Sequence, residues 1–438
     1  MRANVVDSKG RDQPDRTDPD PLVSPSSPLT PPEVNQGGTV FWRRNLFVAF
    51  FGVCANIIAL SLVIPFLPIY VEDLGVTGHA QISQWSGLAY GITYFMAALV
   101  SPLWGILADR KGRKLILLRA SFGITIVMIL LSLVQNVQQL VVLRALAGIL
   151  GGYAAAATIL VATQAPRNRS GWALGLLSSG IMAGNLIGPV AGGALQPILG
   201  VRGTFRISAV LIFLAFVLTA TLIKEEKRPP TTAESRRAMK IPWSAIPNRP
   251  LVYAMLLTAF LLLVANMSIE PILTLFIGQI THDESRIALL AGIVISTTAF
   301  GSMLAAPFIG RLGDRIGAQR VVIGSLVAGS LLLIPQAFVT NEWQLVGLRF
   351  VMGLTLAGLL PSVTSMLRLS VPDAMAGSVL GVSTSAQFAG QVAGPLVGGF
   401  VGGHFGMEWV FLITSGCLML GAIVNLAVLR RGQPSASA

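Results

Sequence analysis

Twelve stretches of this chain are apolar over about 20 residues each, the length an α-helix needs to cross roughly 30 Å of hydrocarbon. The first six cover residues 45–70, 84–107, 115–134, 140–163, 174–197 and 205–223. The second six cover 251–277, 287–309, 321–339, 345–367, 379–401 and 409–429. Lipid offers open backbone groups no hydrogen-bond partner, so such runs must be helical. Barrel strands would instead alternate polar and apolar residues over about 10 positions, and these runs do not. The expected fold is therefore all-α and integral to a membrane. Composition agrees: 53% of the 438 residues are hydrophobic and 11% are charged, against about 25% charged in a soluble domain. A soluble enzyme and a disordered chain are both excluded.

Residues 1–40 are rich in Pro, Ser, Asp and Thr, and read as a disordered tail. They hold no apolar core with a cleavage site, so the first apolar run is expected to be a retained span. Residues 224–250, which include KEEKRPP, form the longest polar stretch beyond the tail. They read as a linker between two helical halves, 45–223 and 251–430. With both termini placed in the cytoplasm, 26 of the 31 Lys and Arg residues fall on that side, the five from Arg110 to Arg119 among them. Only Arg202, Arg206 and Arg286 fall outside. Lys and Arg flanking spans set orientation, so this asymmetry places both termini inside. It also accounts for the net charge of +12 without a nucleic-acid partner. Cys54 and Cys417 lie in apolar runs and form no disulfide framework. His79, His282 and His404 fall in outer loops and make no metal-ligand set.

The second half repeats the first. PLWGILADRKGRK after span two returns as PFIGRLGDRIGAQR after span eight, with Pro102, Gly105, Asp109, Arg110 and Gly112 matching Pro307, Gly310, Asp314, Arg315 and Gly317 at a shift of 205. Arg144 and Gly148 in span four match Arg349 and Gly353 at the same shift. In span five, Gly171, Gly175, Gly184, Gly188-Pro189 and Gly192-Gly193 match Gly377, Gly381, Gly390, Gly394-Pro395 and Gly398-Gly399 at a shift of 206. One register held through separate stretches implies two pseudo-symmetric six-helix bundles. Transporters built from such repeats bind cargo near the midplane between their halves.

These same residues resemble the major facilitator superfamily, and within it the twelve-span drug:proton antiporters. Gly105-x-Leu107-Ala108-Asp109-Arg110-x-Gly112-Arg113-Lys114 is similar to the family's loop 2–3 signature. Gly184-x-x-x-Gly188-Pro189-x-x-Gly192-Gly193 is similar to the antiporter signature of span five, and Arg144-x-x-Ala147-Gly148 to that of span four, with Ala147 replacing the usual Gln. The resemblance spans about residues 45–430 and is nearest the multidrug efflux members. It implies that Gly105, Asp109, Arg110, Gly112 and Arg113, with the partial copy at Asp314, form a latch that docks on span eleven when the protein faces outward. The residues alone also allow a simple positive-inside anchor. It further implies that the face of Gly184, Gly188, Pro189, Gly192 and Gly193 packs on the partner half and limits leakage. Generic small-residue packing is the other reading.

Charge inside a bilayer costs at least about 2.5–3.5 kcal/mol at a helix centre, so ionisable residues within spans stand out. They are Arg144, Arg349 and Glu270, the last being the one carboxylate well inside a span. Glu270 is expected to carry a coupling proton. The alternative is a carboxylate near the outer interface beside the Pro271 kink. Arg144 either organises that site or bonds backbone carbonyls, and Arg349 is expected to be structural. Cavity candidates are Asn56, Tyr90, Tyr94, Asn185, Asn266, Gln387, Phe388 and Gln391; the amides among them would be costly facing lipid.

The function expected is export of drugs or other amphipathic small molecules in exchange for protons by alternating access, without a cofactor. The alternative is a proton-coupled uptake symporter. No nucleophile–base set, metal cluster or nucleotide loop suggests an enzyme. Expected partners are drug-like small molecules, protons and the bilayer of a cell membrane, with the chain acting as a monomer.

Overall fold

The computed structural model of the chain describes residues 41–225, 246, 248–281 and 283–432, and they form fourteen α-helices with no strand among them. The expected tail, 1–40, and most of the expected linker, 224–250, lie outside the described residues. In the first half the helices are α1 (Trp42–Ser61), α2 (Leu67–Asp73), α3 (His79–Lys111), α4 (Arg113–Leu131), α5 (Val137–Leu150), α6 (Tyr153–Gln164) and α7 (Ser170–Leu222). In the second they are α8 (Arg249–Ile280), α9 (Ile287–Ile316), α10 (Ala318–Gln336), α11 (Glu342–Leu356), α12 (Leu359–Leu369), α13 (Asp373–His404) and α14 (Met407–Gly432).

These group into twelve segments in the order expected of the spans. Spans one, four and ten are each two helices in series: α1–α2, α5–α6 and α11–α12. Helix α7 holds spans five and six, folding back at Gly200, whose φ of +67° favours glycine. The breaks in spans four and ten mirror each other at Gly152 (φ +103°) and Gly358 (φ +71°), a shift of 206. The loop glycines Gly112 (φ +95°) and Gly317 (φ +94°) also correspond, so the tight turn expected at Gly112 is present in both halves. Asn136 Oδ1 accepts from Gln139 N to cap α5, and Asn341 Oδ1 accepts from Trp343 N to cap α11, again a matched pair.

The repeat extends to helix contacts, where glycines let backbones approach closely. A side chain at Gly184, Gly188 or Gly192 would strike Ile57, Ser61 or Leu62 of span one. Their counterparts Gly390, Gly394 and Gly398 lie in the same way against Leu263, Met267 and Ser268 of span seven. Gly148 abuts the Thr93 carbonyl, and Gly353 abuts that of Thr298. Spans five and one, eleven and seven, and two and four thus pack by one rule applied twice.

The halves meet through spans five and eight and through spans two and eleven. Gly193 sits against Ala288 and Leu289, and Gly292 against Pro189 and Val190. Symmetrically, Gly399 sits against Ser83, and Gly87 against Pro395. All these contacts lie toward the end of the bundle remote from the PLWGILADRKGRK loop. Toward the loop end, three mirrored pairs meet nothing within 4 Å: Gly105 and Gly310, Gly171 and Gly377, Gly175 and Gly381. Among the described residues, the molecule is therefore shut at one end and parted at the other.

Candidate central site

Span one unwinds just where it reaches the middle of the shut end. Ile64–Phe66 forms a single 3-10 turn with Pro65 at its start, which frees carbonyls from the helix ladder. Tyr90 Oη donates to the Ile64 carbonyl at 2.8 Å, and Thr274 Oγ1 of span seven donates to the Pro65 carbonyl at 2.6 Å. The second bond joins the two halves. Thr274 lies four residues beyond Glu270 on α8, so a single helix places both at the seam.

Glu270 is half-buried, and its Oε2 is fully buried without a hydrogen-bond partner. It stands within electrostatic reach of Arg144 and Arg349, and of Tyr90 and Tyr94. The carboxyl oxygen thus lies inside the protein, one helical turn from the Thr274 bond that joins the halves. Arg144 is buried, with Nε donating to the Ala89 carbonyl at 3.4 Å and its guanidinium 5.3 Å from the centre of the Tyr90 ring. Thr93 Oγ1 donates to the Arg144 carbonyl at 3.0 Å, tying span two to span four. Arg349 is equally buried but differs in its partners: Nε and Nη2 have none, and the Phe411 ring centre is 6.0 Å away.

The other cavity candidates divide. Tyr90 is buried and Tyr94 half-buried on the same face of α3. Asn56 is buried, its Nδ2 donating to the Gly52 carbonyl within α1 at 2.9 Å, which marks it as a helix-internal group. Asn266, Gln387, Phe388 and Gln391 are half-buried, and Gln387 Nε2 donates to Ser383 Oγ at 3.5 Å. Asn185 is exposed.

Gly105 faces open space, and Arg110 and Asp314 are exposed. Gly112 ends α3, and the first residues of α4 bind a carboxylate that sequence reading passed over. Arg113 N and Lys114 N donate to Glu225 Oε1 and Oε2, each at 2.7 Å. An anion at a helix N-terminus is favoured by the free N–H groups and the helix dipole. The span-five glycine face is likewise more divided than expected. Gly184, Gly188 and Gly192 pack on span one of their own half, and Gly193 with Pro189 reaches span eight.

Arg119, counted above with the loop, belongs to α4 and is half-buried. Its guanidinium lies 3.6 Å from the centre of the Trp104 ring and donates to the carbonyls of Ile149 (3.1 Å) and Gly151 (3.0 Å). Trp104 Nε1 donates to the Ile149 carbonyl as well. These bonds satisfy carbonyls freed by the break in span four. At the shut end, Gln84 Nε2 lies 3.3 Å from His404 Nδ1, a further side-chain contact between halves that no sequence motif signals.

A family model described as the Major Facilitator Superfamily matches residues 49–296 and 255–438. "Multidrug resistance protein MdtG" of Salmonella typhimurium is 43% identical over 390 residues, covering 89% of this chain and 96% of that protein. The protein of the same name from Citrobacter koseri is 43% identical over 397 residues, covering 91% and 98%. Among solved structures, a bacterial homologue of the human lysosomal transporter Spinster, inward-facing and occupied, is similar with a TM-score of 0.72 at 15% identity, over 91% of this chain and all of that one.

Proposed function

Since the chain belongs to the major facilitator superfamily and is a multi-pass membrane transporter rather than an enzyme, we propose that it exports amphipathic small molecules in exchange for protons by alternating access. The observation that supports this best is the pairing of a shut end with a parted end around a buried carboxyl. Such a molecule gives cargo and protons one site reachable from one side at a time. In this reading both termini lie in a bacterial cytoplasm, the parted end faces inward, and a single chain is the working unit.

The proposed cycle uses Glu270 as the proton carrier. Cargo entering from the cytoplasm displaces the proton to water at the parted end. Rocking closes that end, docks the loop 2–3 latch on span eleven and parts the seam at spans two, five, eight and eleven. Cargo leaves, and Glu270 takes a proton from the outer side before the return. Arg144, held by the Ala89 carbonyl and the Tyr90 ring, sets the field around the carboxyl. The uptake alternative gains nothing from the relatives, whose names denote resistance.

The test is proton movement driven by cargo in proteoliposomes with a lumenal pH dye. Glu270→Gln is expected to abolish it while leaving cargo binding measurable. Undiminished proton movement in that variant would overturn the assignment of Glu270.

A further inference from the structure

Proton exchange at one carboxyl leaves an asymmetry unexplained. Arg144 and Arg349 are repeat partners, both only 7% exposed. Arg144 has a carbonyl acceptor and a tyrosine ring, whereas Arg349 Nε and Nη2 are buried with no acceptor. Glu270 Oε2 is also buried with no donor. Buried polar groups in folded proteins nearly always find partners, and a guanidinium fork suits a carboxylate or other acid. The Glu270 carboxyl and the Arg349 guanidinium lie within electrostatic reach yet form no ion pair among the described residues. Each is therefore left able to take a group brought from outside.

The sign of coupling then limits what that group can be. A cation beside Glu270 favours the ionised carboxyl and drives the proton off, which gives exchange. An acid alone, beside Arg349, does the reverse: it favours the protonated carboxyl and would travel with the proton. A molecule bearing both groups fills the Arg349 fork and still expels the proton. We propose that the preferred cargo is a zwitterionic amphipath, its cation at Glu270 Oε2 and its acid on Arg349 Nε and Nη2. Its apolar body then lies toward Tyr90 and Tyr94, both within electrostatic reach of the carboxyl. The inference rests on the reading of Glu270 as proton carrier, and makes Arg349 a cargo-binding residue rather than a structural one.

Three dansyl probes share one fluorophore and differ in charge: Nε-dansyl-lysine (zwitterion), its methyl ester (cation) and its Nα-acetyl derivative (anion). Their binding to the full chain in lipid nanodiscs is read from dansyl fluorescence. The zwitterion is expected to bind at least about tenfold tighter than either analogue, as losing a charge-assisted hydrogen bond implies. Arg349→Gln is expected to weaken the zwitterion about 10- to 100-fold and the ester less than about twofold. Arg349→Lys should recover part of the preference, and decides the matter should the Gln variant fail to fold. No preference among the three probes, or equal weakening of zwitterion and ester in both variants, overturns the inference. Proton movement separates this from the function itself. Exchange driven as well by the ester sinks the zwitterion and keeps the exporter. Arg349-dependent binding without proton movement keeps the site and sinks the exporter.

Discussion

At the scale of single residues, the shut end hangs on a few side-chain bonds to an unwound turn. Tyr90 and Thr274 anchor the Ile64 and Pro65 carbonyls from opposite halves. Removing either hydroxyl leaves a buried acceptor without its donor, which costs about 1–3 kcal/mol. The two losses should differ in kind. Tyr90→Phe acts within one half and is expected to lower thermal stability in either conformer. Thr274→Val cuts a bond between halves and is expected to raise the outward-open population roughly fivefold or more. Distances between spin labels across the shut end measure that population, and an unchanged distribution in Thr274→Val contradicts the assignment. Glu270, Arg144 and Tyr90 were legible as candidates because charge and phenol are conspicuous in apolar runs. Arg119 and Glu225 were not, since both sit beside loop charges in the sequence. Only the break in span four and the N-terminus of α4 give them partners.

Among elements, glycine faces fall into two classes that their spacing alone does not separate. Gly192 and Gly398 hold helices together inside a half, against Leu62 and Ser268. Gly193 and Gly399 stand one residue on and meet the other half, at Ala288 and Ser83. One residue turns a helix by about 100°, which is why neighbours in one motif do different work. Gly192→Val is expected to impair folding, seen as loss of monodisperse protein. Gly193→Val should leave each half folded and obstruct the shut state, exposing a cysteine placed on the seam to membrane-impermeant maleimide from the far end. Equal behaviour of the two variants would show that the classes are not distinct. The twelve spans and their repeat could be read from hydropathy and register. The serial breaks in spans four and ten could not, because glycine within an apolar run is as compatible with close packing as with a left-handed turn.

For the whole molecule, the proposed cycle assigns the loop end two arrangements. In the one seen here, Glu225 occupies the start of α4 and Gly105 faces open space. The proposed cycle puts the latch arrangement, with loop 2–3 on span eleven, in the opposite conformer. Glu225→Gln weakens an anion bound at a helix N-terminus, worth about 0.3–1 kcal/mol. Its expected effect is a two- to fivefold shift away from the inward-facing population, about what that energy allows. Single-molecule fluorescence transfer between labels on the two halves measures it, and a shift the other way would place Glu225 on the latch side instead. Sequence reading caught the loop's glycines and charges, but motifs describe one conformer's partners, and the chain must serve both.

The seam at the shut end lays bare backbone on glycine at Gly87, Gly193, Gly292 and Gly399, beside the side-chain bonds of Thr274 and Gln84. A barrier made this way has no lock to which a particular molecule is the key. It keeps out water and ions through flush contact, whatever has just passed. Discrimination must then be finished in the pocket before the walls come together, which lets a pump be permissive about what it expels and still not drip.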